Sequence, residues 1–231
     1  MNINDYKYKI ETHAHTSPAS GCADLTPKEV IERYAKVGFS AIAITNHFYN
    51  AKFEGFTKEE VISNYLKDYY DTKNAALKYG IGVILGMEIR FPENCNDYLV
   101  FGFSEDEMSH LFDLTAVDYI SFYKEFKNNK NIIIQAHPFR NGITAQNPEY
   151  LDGVETFNMH PNHNSRIAVA TQFAKAHPHL VTTCGTDFHH ENHQGLGGIL
   201  AKTLPQDSFQ LAELLKSRDY LFNAAGSIVI P

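Results

Sequence analysis

The sequence predicts an α/β fold in which parallel strands close into a barrel, and three observations carry that expectation. Short β-branched runs alternate with longer amphipathic stretches along the chain, the pattern of parallel strands joined by crossover helices. Residues with imidazole or carboxylate side chains fall at the downstream end of one run after another, and a parallel barrel gathers those ends at a single mouth. The 231 residues, 43% of them hydrophobic and 20% charged, suffice for one domain over residues 1–231 with a full core.

The first strand is expected over Lys7–Thr12. Thr26 precedes Pro27 and stands three residues before Glu29, a capping-box pattern that opens a helix ended by Gly38. A strand over Ala41–Thr45 follows, and Thr57, three residues before Glu60, opens the next helix, which Gly80 ends. Val83–Ile89 and Tyr98–Phe103 read as strands separated only by the turn-forming segment Arg90–Asn96. No helix fits between them, so a hairpin or a local irregularity is expected there, and a perfectly regular eightfold barrel is not. The remaining strands are Ile132–Ala136, Val154–Phe157 and Leu180–Cys184, with Ile199–Leu204 as a further candidate. The remaining helices are Asp118–Lys127, Ser165–Lys175 and Ser208–Ser217.

Composition narrows the function classes. A net charge of −7 does not provide the basic stripe that duplex nucleic acid requires. The start, Met1–Ile10, is polar without an apolar signal core, and no later run approaches a membrane span, so a cytoplasmic protein without membrane contact is expected. Cys22, Cys95 and Cys184 are odd in number and scattered, which suggests neither a disulfide framework nor a CxxC zinc site. Cys184 reads as a buried thiol.

The chemistry lies at the strand ends. His13 and His15 are two apart on the first strand and therefore share a face; Asp187 and His189 repeat that spacing after the run that ends at Cys184. His47, Glu88 and His137 each follow or end a strand between these pairs. Taken singly, each histidine reads as an ordinary hydrogen-bonded side chain. Seven ligand types at one repeated place point instead to a metal centre, and mixed nitrogen and oxygen donors suit zinc, iron or manganese. His110, His177 and His179 lie outside that pattern and read as solvated, while His190 and His193 read as rim residues. The 13 tyrosines and 16 phenylalanines read mainly as core, with Phe53, Phe56, Tyr65, Tyr69 and Tyr70 as an alternative pocket lining.

The motifs His13-Ala14-His15-Thr16, Ile44-Thr45-Asn46-His47, Gly86-Met87-Glu88, Ala136-His137-Pro138, Val154-Glu155-Thr156-Phe157-Asn158 and Gly185-Thr186-Asp187-Phe188-His189 resemble, in order and spacing, those of the polymerase-and-histidinol-phosphatase (PHP) family. The resemblance implies a distorted, TIM-like seven-stranded β/α barrel with two or three divalent ions at its C-terminal mouth, and phosphoester hydrolysis. One ion would be held by His13, His15, Glu88 and Asp187, a second would share Glu88 and take His137, and a third would use His47 and His189.

The chain departs from the family pattern twice. Many members complete the third site with an Asp or His shortly after the HxH pair, where this chain has Ser20, with Asp24 further on as a substitute. Many also supply a histidine to the second ion from the strand after the bridging glutamate, where this chain offers only Asp97. Glu155 and Asn158 are further ligands or props for a ligating histidine.

Two ions about 3.5–4 Å apart activate a hydroxide and clamp phosphate oxygens. A guanidinium matches those oxygens, and Arg140 and Arg166, then Arg90, are the candidates; His189 or His160 would protonate the leaving alcohol. The expectation is a small phosphorylated substrate, with a nuclease, a metal-dependent C–N hydrolase and a silent metal-binding module as alternatives. Oligomeric state is not legible.

Overall fold

The computed structural model describes residues 2–53 and 55–231. Its strands, in chain order, are β1 (Tyr8–Ala14), β2 (Ala41–Ile44), β3 (Gly82–Leu85), β4 (Met87–Arg90), β5 (Asp97–Phe101), β6 (Ile132–Gln135), β7 (Gly153–Asn158), β8 (Val181–Gly185), β9 (Ile199–Ala201), β10 (Tyr220–Ala224) and β11 (Ser227–Val229). The helices are α1 (Pro27–Lys36), α2 (Lys58–Ala76), α3 (Met108–Leu114), α4 (Tyr119–Phe126), α5 (Ile167–Ala176) and α6 (Ser208–Ser217). Both capping boxes form: Thr26 N–H donates to Glu29 at 2.9 Å and Thr57 N–H to Glu60 at 2.8 Å.

Two sheets, and not one closed ring, hold these strands. One has the order β11-β10-β9-β1-β2-β3 and the other β4-β5-β6-β7-β8. The single run expected over Val83–Ile89 breaks at Gly86, where the chain leaves the first sheet for the second. A Cβ at residue 86 would lie 2.5 Å from the Phe101 ring, so only glycine fits this crossing. At the opposite seam antiparallel β9 takes the edge of β1, and the segment after β8 joins the end of β1 through the bridge Ala14↔Phe188. His47↔Glu88 is the matching bridge at the first seam. The expected hairpin is present as β4–β5, and β5–β6 is antiparallel as well.

Strands buried on both faces show how the layers form. In β2, Ala41 and Ala43 face the space between the sheets, whereas Ile42 and Ile44 pack outward with Val30, Ile31 and Tyr34 of α1. The same division separates Leu99 and Phe101 from Tyr98 and Val100 in β5. Each fully buried isoleucine contributes about 1.5–3 kcal/mol. Leu211 and Leu215 of α6, with Tyr220 and Phe222, pack against the inner layer. Among the described residues no helix is long and apolar enough to cross a membrane.

A candidate metal centre around Glu88

A bulge in β1 aims the first pair of histidines. Glu11 pairs with Ile42 and Ala14 with Ile44, so β1 spends one residue more than β2 over this interval. Ile10 faces the inner layer before the bulge and Ala14 the outer layer after it. The change of phase turns His13 and His15 into the centre, a common use of bulges beside active sites. Glu11 holds the bulge: its buried carboxylate accepts from the N–H groups of Thr12 and His13 at 3.0 Å, from Thr186 N–H at 2.9 Å and from Tyr34 Oη at 2.8 Å. It thereby ties His13 to the segment that carries Asp187. The opposite loops are fixed by Asn46, which accepts from Thr16 N–H at 2.8 Å and donates to buried Asp68 at 3.0 Å.

Glu88 stands among four histidines. Oε1 lies 3.3 Å from His13 Nε2 and 3.3 Å from His137 Nε2, and Oε2 lies 3.4 Å from His15 Nε2 and 2.9 Å from His47 Nδ1. Asp187 Oδ1 is 3.4 Å from His13 Nε2 and 3.5 Å from His15 Nε2. Asp97 Oδ2 is 3.8 Å from His137 Nε2.

Hydrogen bonds at the far side of each ring set the tautomers. His13 Nδ1–H donates to Glu155 at 3.0 Å and His189 Nδ1–H to the Asp187 carbonyl at 2.9 Å, and His15 Nδ1 is hydrogen-bonded to Ser20 Oγ at 3.1 Å. With Nδ1–H so engaged, His13 and His189 present Nε2 as the nitrogen available to a cation, the arrangement that prepares a ligating histidine. His13 Nε2, His15 Nε2, His47 Nδ1, His137 Nδ1 and Glu88 Oε2 are buried without a hydrogen-bond partner. Orphaned donors and acceptors are rare in a folded interior, and this concentration fits divalent cations. Three triads, His13/His15/Glu88, His47/Glu88/Asp97 and His15/His47/His189, each bring their ligand atoms within 4.8 Å of one another. His137 and Asp187 adopt positive φ of 32° and 55°, strain of the kind that gathers at functional sites.

Without cations the carboxylates draw protons. Burial opposes the charge on His13, but Glu155, Asp187 and Glu88 outweigh it and hold its pKa well above the usual value. Burial likewise opposes His47, and Glu88 with Cys22 raises it to about 9. Burial, with His189 and His47 beside it, holds His15 well below its usual value. A raised value means that the folded metal-free protein binds this proton more tightly than the unfolded chain. The His47 contribution is then complete below about 6.5 and lost as pH rises through about 9. Metal-free protein should melt at lower temperature at pH 9 than at pH 6.5, and zinc-loaded protein, whose ligands carry no such protons, should lose that drop in a thermal-melt series.

Above the carboxylates lies a cavity of about 240 Å³ lined by Cys22, His47, Glu88, Arg90, Asp97, His137, Arg140, His160, His163, Asp187, His189 and His190. Arg140 Nη2 donates to Asp187 at 2.5 Å and to Asn158 at 2.9 Å, and its buried Nε–H has no partner. Arg90 forms a two-point pair with Asp97, both contacts at 2.7 Å. Asn158 donates to Glu155 at 2.8 Å, and Glu155 also accepts from His137 N–H at 3.1 Å. Burial lowers His160 to about 3, and its Nδ1 accepts from Asn162 N–H at 3.2 Å, which leaves a neutral ring with its proton on Nε2.

Several expected roles fall elsewhere. Arg166 is exposed, at the left-handed start of α5, and donates to the Phe139 carbonyl at 3.0 Å and to Asn141 at 2.5 Å; it braces that loop and does not line the cavity. Asp24 pairs with His190 at 2.7 Å on the surface. Ser20 supports His15 and accepts from His47 N–H at 3.0 Å. Phe53, Phe56 and Tyr65 line a separate cavity of about 790 Å³ beside α2. Cys22, set aside in the sequence as one of three scattered thiols, lines the site; burial works to raise it, but His189 and His47 outweigh that and bring it down to about 6. Glu11 was likewise overlooked: it lies in a strand that also carries Lys9, so its charge alone does not mark it.

Gly185 leaves the room in which His13 meets Glu155: a Cβ there would lie 2.6 Å from His13 Cβ and 2.7 Å from Glu155 Oε1. Gly185→Ala should therefore destabilise the fold by about 1–3 kcal/mol, read as a lowered denaturation midpoint with unchanged slope.

The fold has counterparts among solved structures. A two-domain protein from Bacteroides vulgatus ATCC 8482, described as containing a predicted PHP-like metal-dependent phosphoesterase, superposes with a TM-score of 0.67 at 18% identity, over 96% of this chain and 66% of that one. PsfC from Pseudomonas syringae PB-5123 gives a TM-score of 0.64 at 15% identity, over 90% of this chain and 87% of that one. In sequence, the chain is 28% identical over 151 residues to DNA polymerase III PolC-type of Clostridium perfringens, a match covering 64% of this chain and 9% of the polymerase. The chain thus spans under a tenth of the length of that relative. The model of the PHP domain matches residues 11–180, most of the chain, and the protein belongs to the PHP domain family.

Proposed function

We propose that the chain is a cytoplasmic metal-dependent phosphoesterase whose substrate is a small phosphomonoester. In this reading the two sheets act as halves of one distorted seven-stranded barrel, and residues 1–231 work as one domain. The observation that carries it is the sharing of both Glu88 oxygens among four histidines whose facing nitrogens are poised for cations. His13, His15, Glu88 and Asp187 would hold one ion, Glu88, His137 and Asp97 a second, and His47 with His189 a third, with zinc, iron or manganese as suitable metals. When bound, the ions supply Lewis acidity that activates water and neutralises phosphate charge.

The chain's own residues provide the rest. Arg140 offers its unpaired Nε–H to a phosphate oxygen, and Arg90, fixed by Asp97, adds positive charge at the rim. Neutral His160 donates from Nε2 to the ester or leaving oxygen and is not a proton source at neutral pH. His189 keeps its Nε2 lone pair for the metal, which leaves proton return to the departing alcohol to solvent. Asn158 and Glu155 hold Arg140, His137 and His13 in place. A cavity of about 240 Å³ suits a phosphate with a short substituent better than a polymer strand.

The likeness to PolC-type polymerases favours a second reading, hydrolysis at the end of a single-stranded nucleic acid. A screen with zinc, iron or manganese separates the two. Turnover of sugar, amino-alcohol or nucleotide monophosphates without release from oligonucleotides supports the first, and the reverse pattern supports the second.

A further inference from the structure

The third group of candidate ligands lacks an oxygen donor. Ser20 is engaged with His15 Nδ1 and the His47 N–H, and Asp24 with His190. The loop between them is nevertheless pinned to the site at both ends: Ser20 Oγ accepts from His47 N–H at 3.0 Å, and Asp24 N–H donates to the His189 carbonyl at 2.9 Å. Between these anchors lie Gly21, Cys22 and Ala23, of which only Cys22 carries a metal-binding side chain. Cys22 lines the cavity together with His47 and His189.

A second observation points to a ligand there. His15, His47 and His189 bring one donor atom each within 4.8 Å of one another, and His15 Nε2, on a fully buried ring, has no hydrogen-bond partner. The rings of His15 and His189 lie 4.2 Å apart and those of His15 and His47 4.7 Å apart, so three imidazoles crowd one point whose nearby carboxylates, Glu88 and Asp187, also face His13.

We infer that Cys22 is a thiolate ligand to a divalent cation held with His47 and His189, and that this sulfur biases the site toward zinc, cobalt or ferrous iron over manganese and magnesium. Binding releases the thiol proton to solvent and forms the metal–sulfur bond without a change of oxidation state. The inference rests on the metal-dependent reading above and adds a ligand that neither strand pattern nor family motif supplies.

The test uses the full chain stripped of metal and then titrated with zinc alone. Iodoacetamide alkylation is followed by peptide mass spectrometry, with exposed Cys95 as the internal reference. Zinc should slow alkylation of Cys22 roughly tenfold or more and leave Cys95 unchanged, since a coordinated thiolate is a poorer nucleophile. Cobalt-loaded wild type should show a thiolate-to-cobalt charge-transfer band in the near ultraviolet, which Cys22→Ser should remove together with one metal equivalent while the variant keeps the remaining metal. Equal alkylation with zinc bound, or a band that persists in Cys22→Ser, overturns the ligand assignment alone. Protein that takes up no zinc or cobalt overturns both this assignment and the metal-dependent reading, so the two failures separate on metal content.

Discussion

Glu88→Gln should abolish turnover of a phosphomonoester, with a loss of roughly 10³-fold or more, and strip metal from the protein at the same time. The carboxylate has an oxygen 3.3 Å from His13 and His137 and another within 3.4 Å of His15 and 2.9 Å of His47. Burial works against its charge, yet His47 and His13 hold its pKa well below the usual range. The amide has the same shape but one acceptor oxygen and no charge, and it cannot bridge two cations. Circular dichroism should remain near wild type, because Glu88 serves the site and its strand neighbours Met87 and Ile89 serve the core. Steady-state turnover and metal content on the same sample check the expectation.

Arg140→Ala should lower phosphoester turnover by roughly 10²–10³-fold while metal stays bound, because in the proposed mechanism the residue would contribute charge and hydrogen bonds to the reacting group and none to the cations. Its guanidinium also rests on Asp187 and Asn158, so some loosening of Asp187 is expected; a metal titration measures that part separately. Arg140→Lys should recover only a fraction, since an ammonium keeps the charge but loses the planar fork. A hydrolase acting on C–N bonds would be nearly indifferent to the arginine, so an unchanged rate on the best substrate would redirect the chemistry. Arg166→Ala, by contrast, should leave turnover within a few-fold of wild type, because that side chain braces Phe139 and Asn141 outside the cavity.

Much of this was legible before any coordinates. Short β-branched or apolar runs placed β2, β6 and β8 to within a residue or two, and capping boxes at Thr26 and Thr57 placed α1 and α2. Side-chain type at strand ends brought His13, His15, His47, Glu88, His137, Asp187 and His189 into one neighbourhood. What escaped depends on pairing between distant segments. A bulge cannot be seen in β1 alone, because it exists only relative to β2, and it is what turns His13 and His15 inward. The two-sheet arrangement follows from the Gly86 crossing and from β9 competing for the edge of β1, contacts between residues far apart in sequence. The β10–β11 hairpin is apolar but brief, its second strand being only Ser227–Val229. Cys22 and Arg166 were misjudged for one reason: both lie on irregular backbone, where spacing in sequence says little about direction in space.

Metal per chain, measured by elemental analysis on protein purified without chelator or affinity nickel, tests the Glu88-centred account most directly. Wild type should carry about two or more equivalents, and Glu88→Gln should lose more than one of them, as expected if a single carboxylate serves two ions. One equivalent or none in wild type, or unchanged content in the variant, would contradict it.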